Sequence, residues 1–484
     1  MKKIISVIIT ITMLAALLVP MAINSSAEDF IEVQSWAEFA KLANENYGEG
    51  SYKLMSDTVC ETSIDSFTGV FDGNGHTITV KTTMFLDVGI GAVVRNFTTT
   101  ATETINVTPI ILGISGSTED YPVVIENITN NVNVDTLGED FNRVGGIAGW
   151  SDSDNYVTFR NCINNGNINA NEQVGGIIGN ADLANGYLHA DFIDCANNGD
   201  VYTTKNYAAG IVGNVNQHCD FVMVRCINTG DITAREVAGG IISRILGGKA
   251  NVIMYKCAST GNVTTTERAA EKYGVAGLVS RTTGTSTISI YDSIVSGDFI
   301  PATTVDATTG ELTATAGADA ICQYASTGLI MTENVKILHN SAVAGSTAYT
   351  ASETAMGFEY VDQITIDAGV AAIMADFGNP YDVPGPTAAD TEEDTDDVTT
   401  APAGDVTTAP AVDTTNKPAG DGTGAPAGDT TTKPAGDTTT KPADTTKPAD
   451  TTAAEEGGCD SSISLAIVAV AAVGAVAIAR KKED

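Results

Sequence analysis

The sequence predicts an all-β chain wound as a parallel β-helix, and three observations lead there. The first is a short phrase that recurs: Val144-Gly145-Gly146-Ile147-Ala148-Gly149, then Val174-Gly175-Gly176-Ile177-Ile178-Gly179, Ala208-Ala209-Gly210-Ile211-Val212-Gly213, Ala238-Gly239-Gly240-Ile241-Ile242-Ser243 and Val275-Ala276-Gly277-Leu278-Val279-Ser280. The second is the spacing of Cys162, Cys195, Cys226 and Cys257, which lie 33, 31 and 31 residues apart. A fixed period of this size marks one supersecondary unit stacked many times. The third is the content of each repeat: three short runs rich in Val, Ile, Phe and Tyr, separated by Gly, Asn and Asp clusters. None is long enough or helically periodic enough for a helix, so each reads as a strand.

Stacking turns the period into columns. Ile147, Ile177, Ile211, Ile241, Leu278 and Ile321 fall above one another inside the coil, as do the four cysteines. Cys322 falls in the neighbouring column of Ala148, Ile178, Val212, Ile242 and Val279. The Gly pairs mark close backbone approach. Asn165, Asn198, Thr229 and Thr260 precede a column of Gly166, Gly199, Gly230, Gly261 and Gly297. Asn at such a bend tolerates a left-handed conformation and bonds along the stack.

In chain order, residues 1–27 read as a signal peptide: Lys2 and Lys3, an apolar run, then small residues at Ser25-Ser26-Ala27. Residues 28–66 read as an N-terminal helical cap. Ser35 and Glu38 fit a capping box, and Trp36, Phe39, Ala40 and Ala43 share one face. That helix would cover the apolar open end of the first coil. Residues 67–345 carry the coils, opening with the turn chemistry of Phe71 to Ile78. Within them Asn127 and Ser341 align with the Cys column, and the Thr- and Ala-rich 303–317 reads as a loop leaving the cylinder. Residues 346–383 read as a C-terminal cap with a strand and a helix at Ala368–Phe377.

Composition breaks at Pro384. Residues 384–462 hold almost nothing but Thr, Pro, Ala, Gly, Asp and Lys, and such a chain cannot bury enough apolar area to fold, so a disordered stalk is expected. Ile463 to Ala479 is an uncharged apolar run about 26 Å long as a helix, near the lower limit for a transmembrane span. Arg480-Lys481-Lys482 within the tail 480–484 place that end in the cytoplasm and the repeats outside. The layout resembles the C-terminal anchor of Gram-positive surface proteins without a Leu-Pro-x-Thr-Gly signal. It implies a single-pass anchor on the outer side of the cell membrane.

The Gly-Gly-Ile-x-Gly element resembles the GLUG-motif repeat of bacterial surface proteins, and residues 141–302 carry the resemblance. It implies a right-handed parallel β-helix displayed on a cell. GLUG repeats also occur in large proteases, which need a His-Glu-x-x-His helix. The four histidines, His76, His189, His218 and His339, make no such motif.

The formal charge of -35 argues against nucleic acid, whose phosphates would be repelled. It would attract Ca²⁺ as a counter-ion. Asp152-Ser153-Asp154-Asn155 offers oxygen ligands for it, but lacks the ligand count of a calcium loop and reads first as a solvated turn. Eight cysteines in an exported chain invite disulfides, yet their column argues for buried free thiols. Asp191, Asp194, Asp220 and Asp292 lie near strands, and Arg160, Arg225 and Lys256 fall in neighbouring columns, read as an exposed charged ladder. Neither set pairs acid with base at one spacing, so no catalytic, cofactor-binding or metal-ligating residue is designated. The expectation is a non-enzymatic adhesion or ligand-display module for an extracellular glycan or host surface, with Tyr156, Tyr187, Tyr202 and Tyr207 as candidate contacts. The alternatives are a polysaccharide lyase or glycoside hydrolase of the β-helix type, and a structural surface-layer component.

Overall fold

The structure, a computed structural model, describes residues 29–384 apart from Ser153, 182–186, Gln217, 267–273, 306–311, 315–316, 326–328, 339–357 and Asp382. The chain divides into two units, Met1–Glu393 and Asp394–Asp484, and the second lies outside the described residues. So do the segments expected as signal peptide and stalk, and the apolar run at 463–479. No helix of the described residues is long and apolar enough to cross a membrane.

Among the described residues two helices accompany a set of stacked parallel sheets. A complete coil carries four strands where three were expected. The coil that begins at Gln173 shows the order: Gln173–Gly175, Ile178–Ala181, Tyr187–Ile193 with its continuation Ala196–Asn197, and Val201–Thr203. The first and last of these join six-stranded sheets, the second an eight-stranded sheet, and the third a broad sheet of 19 strands. Each strand pairs in parallel with its equivalent one coil on, as Gln173 does with Tyr207, Ile178 with Val212 and Phe192 with Met223. The missed strand is a three-residue piece that the Gly pair joins tightly to the next, so periodicity merges the two.

The interior columns follow the repeat. Ile147, Ile177, Ile211, Ile241, Leu278 and Ile321 are all buried, and Cys322 pairs with Val279. Phe159 and Phe192 are register partners and stack nearly parallel at 5.1 Å, while Phe221, the partner of Ala190, meets Phe192 edge-on at 5.5 Å. The cysteine column extends to Ile128, which pairs with Cys162, so Asn127 lies one residue outside it. Lys336 pairs with Ile294, which puts Val335 in that column; Ser341 lies outside the described residues.

The left-handed bend also sits away from its expected place, four residues before the Asn165, Asn198, Thr229 and Thr260 column. It falls at Asn96, Asn127, Asn161, Asp194, Arg225, Lys256, Asp292 and Asn334, with φ between 48° and 62°. Its effect is geometric. Phe192 points inward, and strict alternation would send Cys195 outward. The extra residue at Asp194 resets the phase, so Cys195 faces the core while Ala196 belongs to an apolar cluster of its own outside it. Asn165 and Asn198 keep the other half of the expectation: their amides bond along the stack, Asn198 to Asn165 and Asn165 to Asn131, each at 2.8 Å. A second ladder, wholly buried, runs beside them through Asn130, Asn164, Asn197 and Asn228 at 2.8 Å per step.

The seven described cysteines carry free thiols. Each thiol of the column donates to a carbonyl of the preceding coil, Cys226 to Phe192 at 3.2 Å and Cys257 to Met223 at 3.4 Å. Burial pushes the Cys162 and Cys226 thiols well up from their ordinary range. A thiol-specific reagent should therefore leave Cys162, Cys195, Cys226 and Cys257 unmodified in native protein and label all four in denaturant. Disulfides among these four in a mass map would contradict the column.

At the N-terminal end α1, Trp36–Glu45, buries Trp36, Phe39, Ala40 and Ala43 against the first coils. Ser35 Oγ accepts from Glu38 N at 3.2 Å, and the Glu38 carboxylate accepts from Gln34 N at 2.7 Å. Phe39 stacks on Phe71 at 4.4 Å and Trp36 meets Phe85 edge-on. In the 303–317 stretch, Thr303–Val305 and Leu312–Ala314 pair antiparallel, a hairpin outside the parallel sheets. Phe358–Val361 adds a last strand to the broad sheet beside Val335–Leu338. The helix after it, α2, spans Gln363–Ala375 and starts five residues earlier than the sequence suggested. The capping signal is Asp362, whose carboxylate accepts from Thr365 N at 2.9 Å. α2 lies along the flank of the broad sheet, where Ile366 and Ile373 cover Ala196, Ile227, Ala258 and Ile294.

Candidate functional site

The outer face of the broad sheet holds the densest group of functional side chains. Tyr156 and His189 are register partners on adjacent coils, and their rings stack at 4.3 Å and 10°. Tyr187 and His218 are partners one step along, at 4.8 Å and 13°. Tyr187 also lies 5.9 Å from His189. The four rings form two stacked pairs staggered over three coils and joined through Tyr187 and His189. Parallel strands about 4.8 Å apart bring partner rings to stacking distance without further adjustment.

The array is pinned at its edges. Asp154, itself left-handed, accepts from Tyr187 N at 2.9 Å. His218 Nδ1 accepts from Lys249 N at 2.7 Å, which leaves the proton of the neutral ring on Nε2. His189 Nδ1 lies 3.4 Å from the Asp220 carboxylate. Burial pushes the Asp220 carboxyl up, and His189 pulls it partly back. Because ring faces are spent on one another, the array offers hydroxyl and imidazole edges to solvent. A hydroxylated ligand would be met by hydrogen bonds along these edges.

The four tyrosines singled out by sequence do not share one site. Tyr156 and Tyr187 belong to the array. Tyr202 is exposed on a six-stranded sheet, and Tyr207 is buried beneath Arg244, whose guanidinium lies 4.1 Å from the ring centroid. Sequence reasoning passed over His189 and His218 as partners. The signal was present: they follow Tyr156 and Tyr187 by 33 and 31 residues, intervals that also separate the cysteines.

The expected charged ladder is not an open basic face. Arg225 and Lys256 share the left-handed column, while Arg160 belongs to the column of Ile193 and Val224. Arg160 reaches Glu126 at 3.3 Å, Arg225 binds Asp194 at 2.5 and 3.0 Å, and Lys256 meets Asp376 at 2.9 Å. In the Asp152–Asn155 turn, Asn155 is buried and structural, with its oxygen accepting from Ser117 N at 2.9 Å and its amide donating to Ile114 O at 3.0 Å. His76 pairs with Asp57 at 3.1 Å beside the Asn74-Gly75 turn. Among the described residues no cluster of three or more His, Cys, Asp and Glu is arranged to hold a metal.

No protein-family model matches the chain, and no curated protein matches it. Among solved structures it is similar to a Bacteroides ovatus protein provisionally described as an immunoglobulin A1 protease, at 16% identity, over 52% of this chain and 84% of that one. The TM-score is 0.38, and a likeness of that size carries no argument about fold or activity.

Proposed function

We propose that the solenoid is a binding or display module that presents a regular polar face to an extracellular polymer, a glycan foremost. The observation that carries this reading is the Tyr156, His189, Tyr187 and His218 array, whose hydrogen-bonding edges step across three successive coils. A polymer laid along the stack would meet similar groups at each step. Weak contacts per chain gain strength when many copies are held at one surface. The charged stalk sequence and the apolar run 463–479 support display on the outer side of a cell membrane. The repeated Gly-Gly-Ile phrase supports a GLUG-type, right-handed β-helix.

The test is a glycan array and product assay with the soluble region 28–383, with and without Ca²⁺. Binding that weakens about tenfold or more in Tyr156→Ala with His189→Ala, with the fold retained by circular dichroism, is the expected result. Release of reducing ends or unsaturated products would make the lyase or hydrolase reading correct. Absence of binding to pectins, uronates, mucins and host glycans would favour a structural surface component.

A further inference from the structure

The chain does not leave the solenoid at its last coil. After Phe358–Val361 joins the broad sheet, α2 runs back along the flank: Gly369 lies against Ile294, and Ile373 and Phe377 pack on the cluster that holds Ala196, Ile227 and Ala258. The residues that follow are bonded to three successive coils of the left-handed column. Asp376 meets Lys256 at 2.9 Å, Asn379 O accepts from Arg225 at 3.1 Å, and Gly378 N donates to Asp194 at 2.8 Å, across 120, 154 and 184 residues of sequence. The Tyr381 ring lies 5.2 Å from the Arg225 guanidinium. Under this segment Arg225 and Asp194 form a pair with side chains only 2% and 3% exposed. Arg225 and Lys256 hold left-handed backbone at φ 51° and 53°, where earlier coils use Asn96, Asn127 and Asn161. Arg and Lys enter that conformation at a higher steric cost than Asn, and here their long side chains reach the docked segment.

We propose that residues 376–381 form a mechanical clamp, which passes tension on the chain beyond Tyr381 directly into the coils of Asp194 and Arg225. The later coils, those of Asp292 and Asn334, and the strand Phe358–Val361 then lie outside the path of force. The architecture gives such a path its use. Coils of a solenoid contact only their neighbours, so a pull on the last strand strips them one after another, each at the strength of a single coil interface. The clamp bonds are arranged otherwise. They sit on three coils and share one short segment, so a pull loads them together. Opening one side of a buried ion pair leaves an uncompensated charge, which makes release costly. The turn at Gly378, φ 78°, lets its own N–H and the next carbonyl serve the two members of that pair. The clamp is independent of the glycan reading, since it acts on any force the chain beyond Tyr381 carries, with or without a polymer on the ring array.

The experiment is single-molecule pulling on the full chain, held by a handle at Tyr202→Cys and drawn from the C-terminal end, with Cys322→Ser and Cys459→Ser so that the handle takes one thiol. Tyr202 is exposed and lies on the coil between Asp194 and Arg225. With the clamp intact, the chain should hold until one event frees the 154 residues between Arg225 and Asn379, about 500 Å of contour. Gly378→Pro with Asp376→Asn removes the N–H that Asp194 accepts and the carboxylate that Lys256 meets, both outside the coils. In that variant the same length should come off in steps of about 100 Å, one coil each, starting at a force lower by about twofold or more. Small steps at low force with the clamp intact would overturn the proposal, as would a single event at unchanged force in the variant. If Gly378→Pro disturbs the coils, the intact clamp is tested by moving the second handle to Ile364→Cys, which is exposed and precedes the clamp. Small steps are expected from there, and a single large event from both points would also overturn it.

Discussion

Gly176→Val should lower stability by about 3 kcal/mol or more and shift the thermal midpoint down by roughly 5–10 °C. A β-carbon at Gly176 would meet the carbonyl oxygen of Gly210 on the next coil and the Asn197 amide from the side. Neither can move freely. The Gly210 backbone is fixed by its own bond to Gly240 O, and Asn197 is committed to the buried ladder. Three more coils show the same approach: Gly146 faces Asn164 and Gly176 O, Gly210 faces Asn228 and Gly240 O, and Gly240 faces Ser259 and Gly277 O. The first Gly of the pair is tight as well, with Ile178 O and Gly213 N in the path of a β-carbon at Gly175. Ala209 and Ala276 fill that position in other coils, so the backbone there can shift, and Gly175→Ala should cost less than Gly176→Val, about 1–2 kcal/mol. Thermal unfolding of the two variants checks this. Equal losses would mean that the second glycine has no special role.

The contrast shows what was legible in the sequence. Period, interior columns and the cap on α1 follow from side chains that repeat by chemical type, and Ile177 or Cys195 announces its place by recurring. The phase of a bend is harder. The left-handed column contains Asn, Asp, Arg and Lys, so no residue type marks it, and the eye settles on the Asn-Gly steps one bend later. Asn127 was misplaced for that reason: one residue of slip at a bulge moves every later side chain to the other face. The aromatic array is legible only when Tyr and His are allowed to share a column, because stacking needs flat rings and not identical ones. The docking of the C-terminal segment was hidden for another cause. The segment after α2 binds across coils far away in sequence, with Arg225 meeting Asn379 and Lys256 meeting Asp376, and no local pattern encodes such partners.

Asn197→Leu should cost about as much as the glycine variant, roughly 3 kcal/mol, for a different reason. Asn197 is completely buried. Its oxygen accepts from Asn164 Nδ2 at 2.8 Å, and its amide donates to Asn228 Oδ1 and to Gly199 O, both at 2.8 Å. Leucine nearly matches the volume but answers none of these bonds. The Asn228 oxygen and the Gly199 carbonyl would each lose a donor, and the Asn164 amide would keep only Gly166 O, also at 2.8 Å. Unpaired buried polar groups cost about 1–3 kcal/mol each, which outweighs the apolar gain from the new side chain. The ladder itself indicates a milder substitution. Ser259 pairs in register with Asn228 and ends the amide run, its own hydroxyl buried without a partner, so a hydroxyl is accommodated at this position but does not extend the ladder. Asn197→Ser should therefore recover at most about half of what Asn197→Leu loses, through the one neighbour a hydroxyl can serve. Chemical denaturation of the repeat region with both variants decides the matter. If leucine proved neutral, apolar packing of the corner rather than the amide ladder would be what holds successive coils in register.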